Sequence, residues 1–167
     1  MLTVMAFMLF AQASASGSAT TDWELTQETI RLERQVGMDY YTQVVIVPEW
    51  GEQGIVQAKT FPRGEYIIIA VSPIILQDLD RDAQRGMLAH ELAHLRRTCG
   101  LKEYASEREE LVCEHAADAQ AARWVGKRTV IRGLCQLIAS SWVWRYRTDL
   151  SILITRIKML HDRRDIT

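Results

Sequence analysis

Hydrophobic positions recur every three or four residues in several stretches of the chain, as in helices that bury one face. The first stripe ends at Gly37, and the capping-box pattern Thr21-x-x-Glu24 precedes it. Its members are Leu25, Leu32 and Val36. Two later stripes consist of Val130, Leu134, Leu137, Ile138 and Trp142, and of Leu150, Leu153, Ile157 and Leu160. The pattern predicts packing helices at all three places.

Shorter runs are rich in β-branched and aromatic residues, which favour strands. They cover residues 41–47, 55–60 and 65–71. Pro48-Glu-Trp-Gly51 is a turn signal after the first run, and Phe61-Pro-Arg-Gly64 joins the other two as a predicted hairpin. Together the patterns predict an α+β fold, mostly helical, with a small sheet of about three strands over one central helix.

That central helix is predicted from about Arg81 to Thr98 and contains the motif Leu88-Ala-His-Glu-Leu-Ala-His-Leu95. On a helix, His90 and His94 lie one turn apart on the same face, so both imidazoles can bind one metal ion. Glu91 lies beside them. This H-E-x-x-H spacing is typical of zinc hydrolases, in which the glutamate is the general base.

A zinc ion in a hydrolytic site usually has three protein ligands and one open position. Glu114 follows His94 by 20 residues, on a second predicted helix from about Tyr104 to Val125 that Gly126 ends. Most of the other residues from Glu114 to Ala121 are alanines, which lets the two helices approach closely. Asp118 lies one turn further and is expected to accept the other ring N–H of a ligating histidine.

Three other potential ligands lie close to Glu114 in the sequence. They are Glu110, Cys113 and His115. The side chains of Cys113 and His115 point away from the face that Glu114 and Asp118 share, because single steps along a helix turn the direction by about 100°. We therefore expect His115 at the surface or behind the ligands rather than on the metal.

The pattern H-E-x-x-H followed by E-x-x-x-D-x-x-A resembles the zinc metallopeptidase family of the CAAX prenyl endopeptidase and the HtpX protease, a group of gluzincins. The resemblance runs from about Val56 to Leu160. Residues 56–64, 66–69 and 73–76 are similar to the segment that leads into the metal helix of that family. The chain has Gln57-Ala58-Lys59 where the family often has Asn-Ala-Phe, and Thr148-Asp149 where it has His-Pro.

This resemblance implies a zinc-dependent endopeptidase with one Zn²⁺ per chain, held by His90, His94 and Glu114. Glu91 would be the catalytic residue, acting on a metal-activated water, and Asp118 would support a ligand from behind. An extended polypeptide substrate would add alongside the segment Val56, Gln57, Ala58 and Lys59. Two positions remain open for Arg156, in the family-like Arg-Ile-x-x-Leu: paired with a site carboxylate, or in solvent.

Two other interpretations belong to different functional classes. One is a cytosolic regulatory metalloprotease that resembles the ImmA/IrrE group and acts on a repressor. The other is a zinc-stabilised scaffold without catalysis, against which the intact Glu91 argues.

Composition narrows the choice further. A chain of 167 residues, 48% of them hydrophobic, suits one domain with a real core. The net charge of −1 gives no field that would attract nucleic acid. Within residues 1–19, an apolar run is followed by small polar residues, as in an export signal. The apolar run is too short to span a membrane. We expect residues 20–167 to form a single periplasmic or secreted domain, with a cytoplasmic location as the alternative.

The chain has three cysteines, Cys99, Cys113 and Cys135, which are too few for a disulfide scaffold. In an exported protein, Cys99 and Cys113 could form a disulfide between the end of the metal helix and the start of the next. Burial as small apolar residues is the alternative for Cys113 and the expectation for Cys135.

Overall fold

A computed structural model describes residues 20–48, 58–63, 66–97, 106–139 and 150–162 of the chain. The elements in chain order are β1 (Thr20–Thr21), α1 (Trp23–Val36), β2 (Tyr41–Ile46), β3 (Ala58–Arg63), β4 (Tyr66–Val71), α2 (Pro73–Asp78), α3 (Arg81–Arg97), α4 (Glu107–Val125), α5 (Lys127–Ala139) and α6 (Leu150–Asp162). This mostly helical α+β fold confirms the predicted fold class. Within those ranges, every helix is too short or too polar to cross a membrane.

The sheet has the strand order β1-β2-β4-β3. β2 and β4 are parallel, with Val44 opposite Ile69. β3 is antiparallel to β4, with Thr60 opposite Ile69. The described residues thus form four strands rather than about three, because the two-residue strand β1 pairs antiparallel with β2. So short a strand has no alternating pattern of its own that a sequence could reveal.

The edge strand β3 extends beyond Thr60, where the sequence pattern predicted its C-terminal end. It continues through Arg63, which lies opposite Tyr66, so the predicted turn at residues 61–64 is wrong for its first three positions. Pro62 fits within this strand because β3 is at the edge, where a residue without an N–H need not break the ladder. Residues 55–57, which the prediction also assigned to this strand, lie outside the described ranges.

Side chains of β4 alternate between the two faces of the sheet. Ile67, Ile69 and Val71 belong to the main hydrophobic core, which the helices share. Ile68 and Ala70 form a smaller cluster with residues of β2 and the position after it. Because β4 is buried on both faces, it is the structural centre of the sheet.

The first helix begins one residue later than the capping-box pattern suggested. Asp22 is the N-cap, and its carboxylate accepts a hydrogen bond from the Leu25 N–H at 2.9 Å. Thr21 is instead part of β1, opposite Val45. The predicted end is confirmed, because Gly37 has a φ of 70° and closes the helix.

The predicted stripes of the last two helices face the core. Val130, Leu134, Leu153 and Leu160 are buried, and Leu137, Ile138 and Ile157 pack against them. Trp142, which the prediction added to the first of these stripes, lies outside the described residues. Helix α5 packs against α3, whose Leu88 and Leu92 are fully buried, and α6 packs against α4 and α5.

Two glycines allow α3 and α5 to pack closely. A Cβ at Gly86 would lie 2.9 Å from the Thr129 carbonyl oxygen, and one at Gly133 would lie 3.3 Å from the Ala83 carbonyl oxygen. Both obstacles are backbone atoms, so a side chain at Gly86 requires the helices to move apart. The position of α3 in the core therefore depends on this contact.

Gly86→Ala should lower the free energy of unfolding by about 1–3 kcal/mol, the usual range for overpacking, despite alanine's better helix propensity. Urea unfolding would measure the change. Gly133→Ala is the matched control and should lose less, because its contact is longer. An unchanged or raised midpoint for Gly86→Ala would contradict this account of the packing.

Candidate metal centre

Helix α3 holds its two histidines in a fixed position at the buried face. Its first turn is capped by Asp80, whose carboxylate accepts from the Ala83 N–H at 3.0 Å. Arg132 and Gln136 of α5 donate to the same carboxylate at 2.7 and 2.6 Å. The hydrogen bond from Arg132 is the main reason that the pKa of Asp80 lies below its usual range. This network connects the start of α3 to α5.

His90 and His94 converge at the predicted position on α3. Their Nε2 atoms are 2.9 Å apart, and their rings meet edge to face with centroids 4.6 Å apart. Both residues are buried. Two imidazole nitrogens therefore point to one spot inside the protein.

Helix α4 brings Glu114 to the same spot. Its Oε2 is 3.1 Å from His90 Nε2, and its Oε1 is 3.3 Å from His94 Nε2. One ligand atom from each of the three residues lies within 4.8 Å of the others. Among the described residues, these three form the one cluster of this kind.

Asp118 lies behind His90, one turn along α4 from Glu114. It is fully buried, and its Oδ1 is 2.8 Å from His90 Nδ1. A carboxylate at this distance accepts the Nδ1–H hydrogen, which leaves the Nε2 lone pair for a metal ion. The structure thus brings Asp118 to the partner that the sequence suggested for it.

Arg156 of α6 completes the cluster. Its Nη1 donates to Glu114 Oε2 at 2.9 Å, while its Nε and Nη2 donate to the two Asp118 oxygens at 2.7 Å each. The sequence left two positions open for Arg156. In the structure, Arg156 is paired with the site carboxylates rather than in solvent. A guanidinium that forms two parallel bonds to one carboxylate also fixes its orientation.

The charges of these groups act strongly on one another. Burial would lower the pKa of His90, but the negative charges of Asp118 and Glu114 outweigh it and raise this pKa to about 10. Burial would raise the pKa of Asp118, yet the charge of His90 and the Arg156 hydrogen bonds lower it to about 2. Burial would also raise the pKa of Glu114. This pKa nevertheless lies well below its usual range, because His90, His94 and Arg156 stabilise the ionised carboxylate. The pocket therefore favours positive charge at the His90 imidazole.

Glu91 is buried, with 6% of its surface exposed. Its Oε2 accepts a hydrogen bond from Thr60 Oγ1 of β3 at 3.0 Å. No motif in the sequence marks Thr60 as a site residue. The available signal was weak, because Thr60 was only the last residue of a predicted strand and the contact depends on how β3 packs on α3.

Cys113 of α4 lies behind the His94 ring. Cys113 is disulfide-bonded, and its Sγ lies 3.7 Å from His94 Nδ1. A disulfide sulfur carries no hydrogen, so the imidazole N–H must be the donor, which leaves His94 Nε2 for a metal ion. Cys99, its predicted partner, lies outside the described residues. Cys135 is free and exposed, so its expected burial is wrong; its position on α5 faces solvent.

The remaining predicted residues have different outcomes. His115 is buried and does not belong to the cluster, and Glu110 is exposed. Of the predicted substrate segment, Ala58 and Lys59 belong to β3, whereas Val56 and Gln57 lie outside the described residues. Residues 1–19, Thr148 and Asp149 also lie outside them.

No protein-family model, curated protein or solved structure matches the chain.

The donor set fits a zinc ion. Two imidazole nitrogens and one carboxylate form a set of three protein ligands that catalytic zinc sites use. An acceptor lies behind each histidine, and with a metal bound it would keep the hydrogen on Nδ1 and leave Nε2 for the metal ion, as ligating histidines usually need. The carboxylate of Glu91, the residue next to His90, provides a nearby acceptor for a proton.

Proposed function

We propose that this protein is a zinc-dependent endopeptidase with Glu91 as its general base. The observation that carries the proposal is the convergence of His90, His94 and Glu114 from two helices, with Glu91 on the same helix as the histidines. A metal site built only for stability has no need of a buried, adjacent carboxylate outside the ligand set. The disposition of Glu91 supports a hydrolytic role.

When bound, zinc would lower the pKa of a water molecule and polarise the carbonyl of a peptide bond. The remaining steps belong to the protein's own residues. Glu91 accepts the proton of the attacking water and passes it to the leaving amine nitrogen. Asp118 holds the His90 ring, and Arg156 fixes the carboxylates of Glu114 and Asp118. These contacts keep the ligands oriented while the proton moves.

The edge strand β3 supports the proposal of an extended polypeptide substrate. β3 lies at one end of the strand order and packs against α3, beside Glu91. A peptide that pairs with its outer edge would form main-chain hydrogen bonds along Ala58 and Lys59, with little selectivity for side chains. This geometry would bring the peptide backbone past the general base.

We further propose that the protein is exported to an oxidising compartment, periplasmic or secreted. The disulfide at Cys113 supports this location, because disulfides persist outside the reducing cytosol. It therefore argues against a cytosolic regulatory metalloprotease acting on a repressor. Mass spectrometry of the natively expressed protein should find a chain that begins near Thr20, and an intact Met1 in the cytosolic fraction would contradict the proposal.

A casein digestion assay tests the activity. The wild-type protein should digest casein, lose this activity in a strong chelator and regain it when zinc is restored. The reason is that hydrolysis in the proposed mechanism requires the bound metal ion. Circular dichroism in chelator would show whether the fold persists. A folded, zinc-loaded protein that digests no peptide would overturn the proposal and favour a zinc-stabilised scaffold.

A further inference from the structure

Thr60 connects the edge strand to the proposed general base. On β3 it lies opposite Ile69, whose side chain is fully buried in the core that the helices share. Directly opposed residues of an antiparallel pair point to the same face of the sheet. The Thr60 side chain therefore points toward α3 and is only 7% exposed.

The hydroxyl of Thr60 lies between two acceptors of a single residue. Its Oγ1 is 3.0 Å from Glu91 Oε2 and 3.3 Å from the Glu91 backbone oxygen. In the part of the chain that the structure describes, no other side chain donates a hydrogen bond to this carboxylate. A bond to an ionised carboxylate is about twice as strong as one between neutral groups. Thr60 thus restrains the one side chain that the proposed mechanism requires to be correctly aimed.

The donor itself is held firmly. Threonine is β-branched, so its χ1 angle has few accessible values. Its backbone is fixed by pairing with β4, the central strand of the fold. A glutamate has three rotatable side-chain bonds, and a fixed donor on Oε2 leaves Oε1 with a defined direction and free lone pairs.

We infer that Thr60 is a positioning residue that holds the Glu91 carboxylate against α3 and directs its second oxygen toward the attacking water. This inference rests on the proposed peptidase function. The edge strand β3 then has two roles in the reaction. Its outer backbone edge is available to the substrate, and the Thr60 hydroxyl on its inner face orients the base.

Thr60→Val and Thr60→Ser test this role. Valine has nearly the same shape without the hydroxyl and should lower kcat about tenfold, the effect of losing one hydrogen bond to a charged group. KM should stay within about twofold, because the backbone edge of β3 is unchanged. Serine restores the hydroxyl and should recover most of kcat.

Thr42→Val is the matched control. Thr42 is also a buried threonine of this sheet, and its hydroxyl donates to the Glu33 carboxylate. This substitution removes a similar hydrogen bond that does not involve the metal-binding cluster. It should leave kcat and KM unchanged even if it lowers the stability of the fold.

A measurement without turnover tests the contact itself. In chelator, Thr60→Val should lower the urea midpoint of the wild-type protein but have a much smaller effect when Glu91 is already alanine, because only interacting residues show such coupling. Equal effects in the two backgrounds would show that Thr60 does not act through Glu91, and would overturn the inference.

The outcomes separate this inference from the function on which it rests. An inactive wild-type protein overturns the proposed function and the positioning role with it. If the wild type is active, three kinetic results overturn only the role of Thr60, as equal stability effects in the two backgrounds would: full kcat in Thr60→Val, a loss that serine does not recover, or a change confined to KM.

Discussion

Glu91→Gln should lower kcat on a peptide substrate by about a thousandfold, within the range that general-base catalysis contributes. An amide has the shape of the carboxylate but cannot accept the proton of the attacking water. Its oxygen can still accept the hydrogen bond from Thr60. The three ligand side chains are untouched, so the variant should still bind one zinc ion per chain.

Kinetics on a peptide substrate and elemental analysis of the purified variant would measure the two quantities. Glu110→Gln provides the matched control, since Glu110 is an exposed glutamate at the start of α4. It should have wild-type kinetics. Digestion by Glu91→Gln at the parental rate would show that Glu91 is not the base.

Glu114→Ala should weaken zinc binding more than any other substitution on α4. Its two carboxylate oxygens lie 3.1 and 3.3 Å from the Nε2 atoms of His90 and His94, the other two proposed ligands. Asp118→Ala removes the acceptor behind His90 and the partner of two Arg156 hydrogen bonds, but none of the proposed ligands. It should cost about 10- to 100-fold in affinity, as such supporting groups usually do. His115→Ala should leave the affinity nearly unchanged, because His115 does not belong to the cluster.

Competition titrations with a chromogenic chelator would rank the three variants. Because His115 is buried, circular dichroism must show that its variant is folded before the affinities are compared. If His115→Ala abolished zinc binding while Glu114→Ala retained it, the ligand set would have to be rebuilt around three histidines.

The sequence predicts those features that depend on local geometry. The pairing of His90 with His94 follows from the helical repeat alone, and the α+β class follows from the periodicity of the hydrophobic positions. Glu114 and Asp118 also share one face by this repeat. These features need no knowledge of how distant segments pack.

Features that depend on long-range packing were less predictable. Thr21 and Asp22 are both good N-cap residues, and the choice of Asp22 is understandable only once Thr21 pairs with β2. The contact between Thr60 and Glu91 joins residues 31 apart in the chain. Arg156 could have been in solvent until the fold brought its helix against two carboxylates.

Pro62 on the edge strand also affects how copies of this protein meet one another. An open strand edge is a template on which a second chain can add, which is a common route to aggregation. The nitrogen of Pro62 carries no hydrogen, so the row of donors along the outer edge of β3 is interrupted there. An incoming strand can pair without interruption only from Ala58 to Phe61 within the described part of β3. The same proline therefore shortens the stretch that the proposed peptide substrate could use, and it discourages edge-to-edge association at high protein concentration.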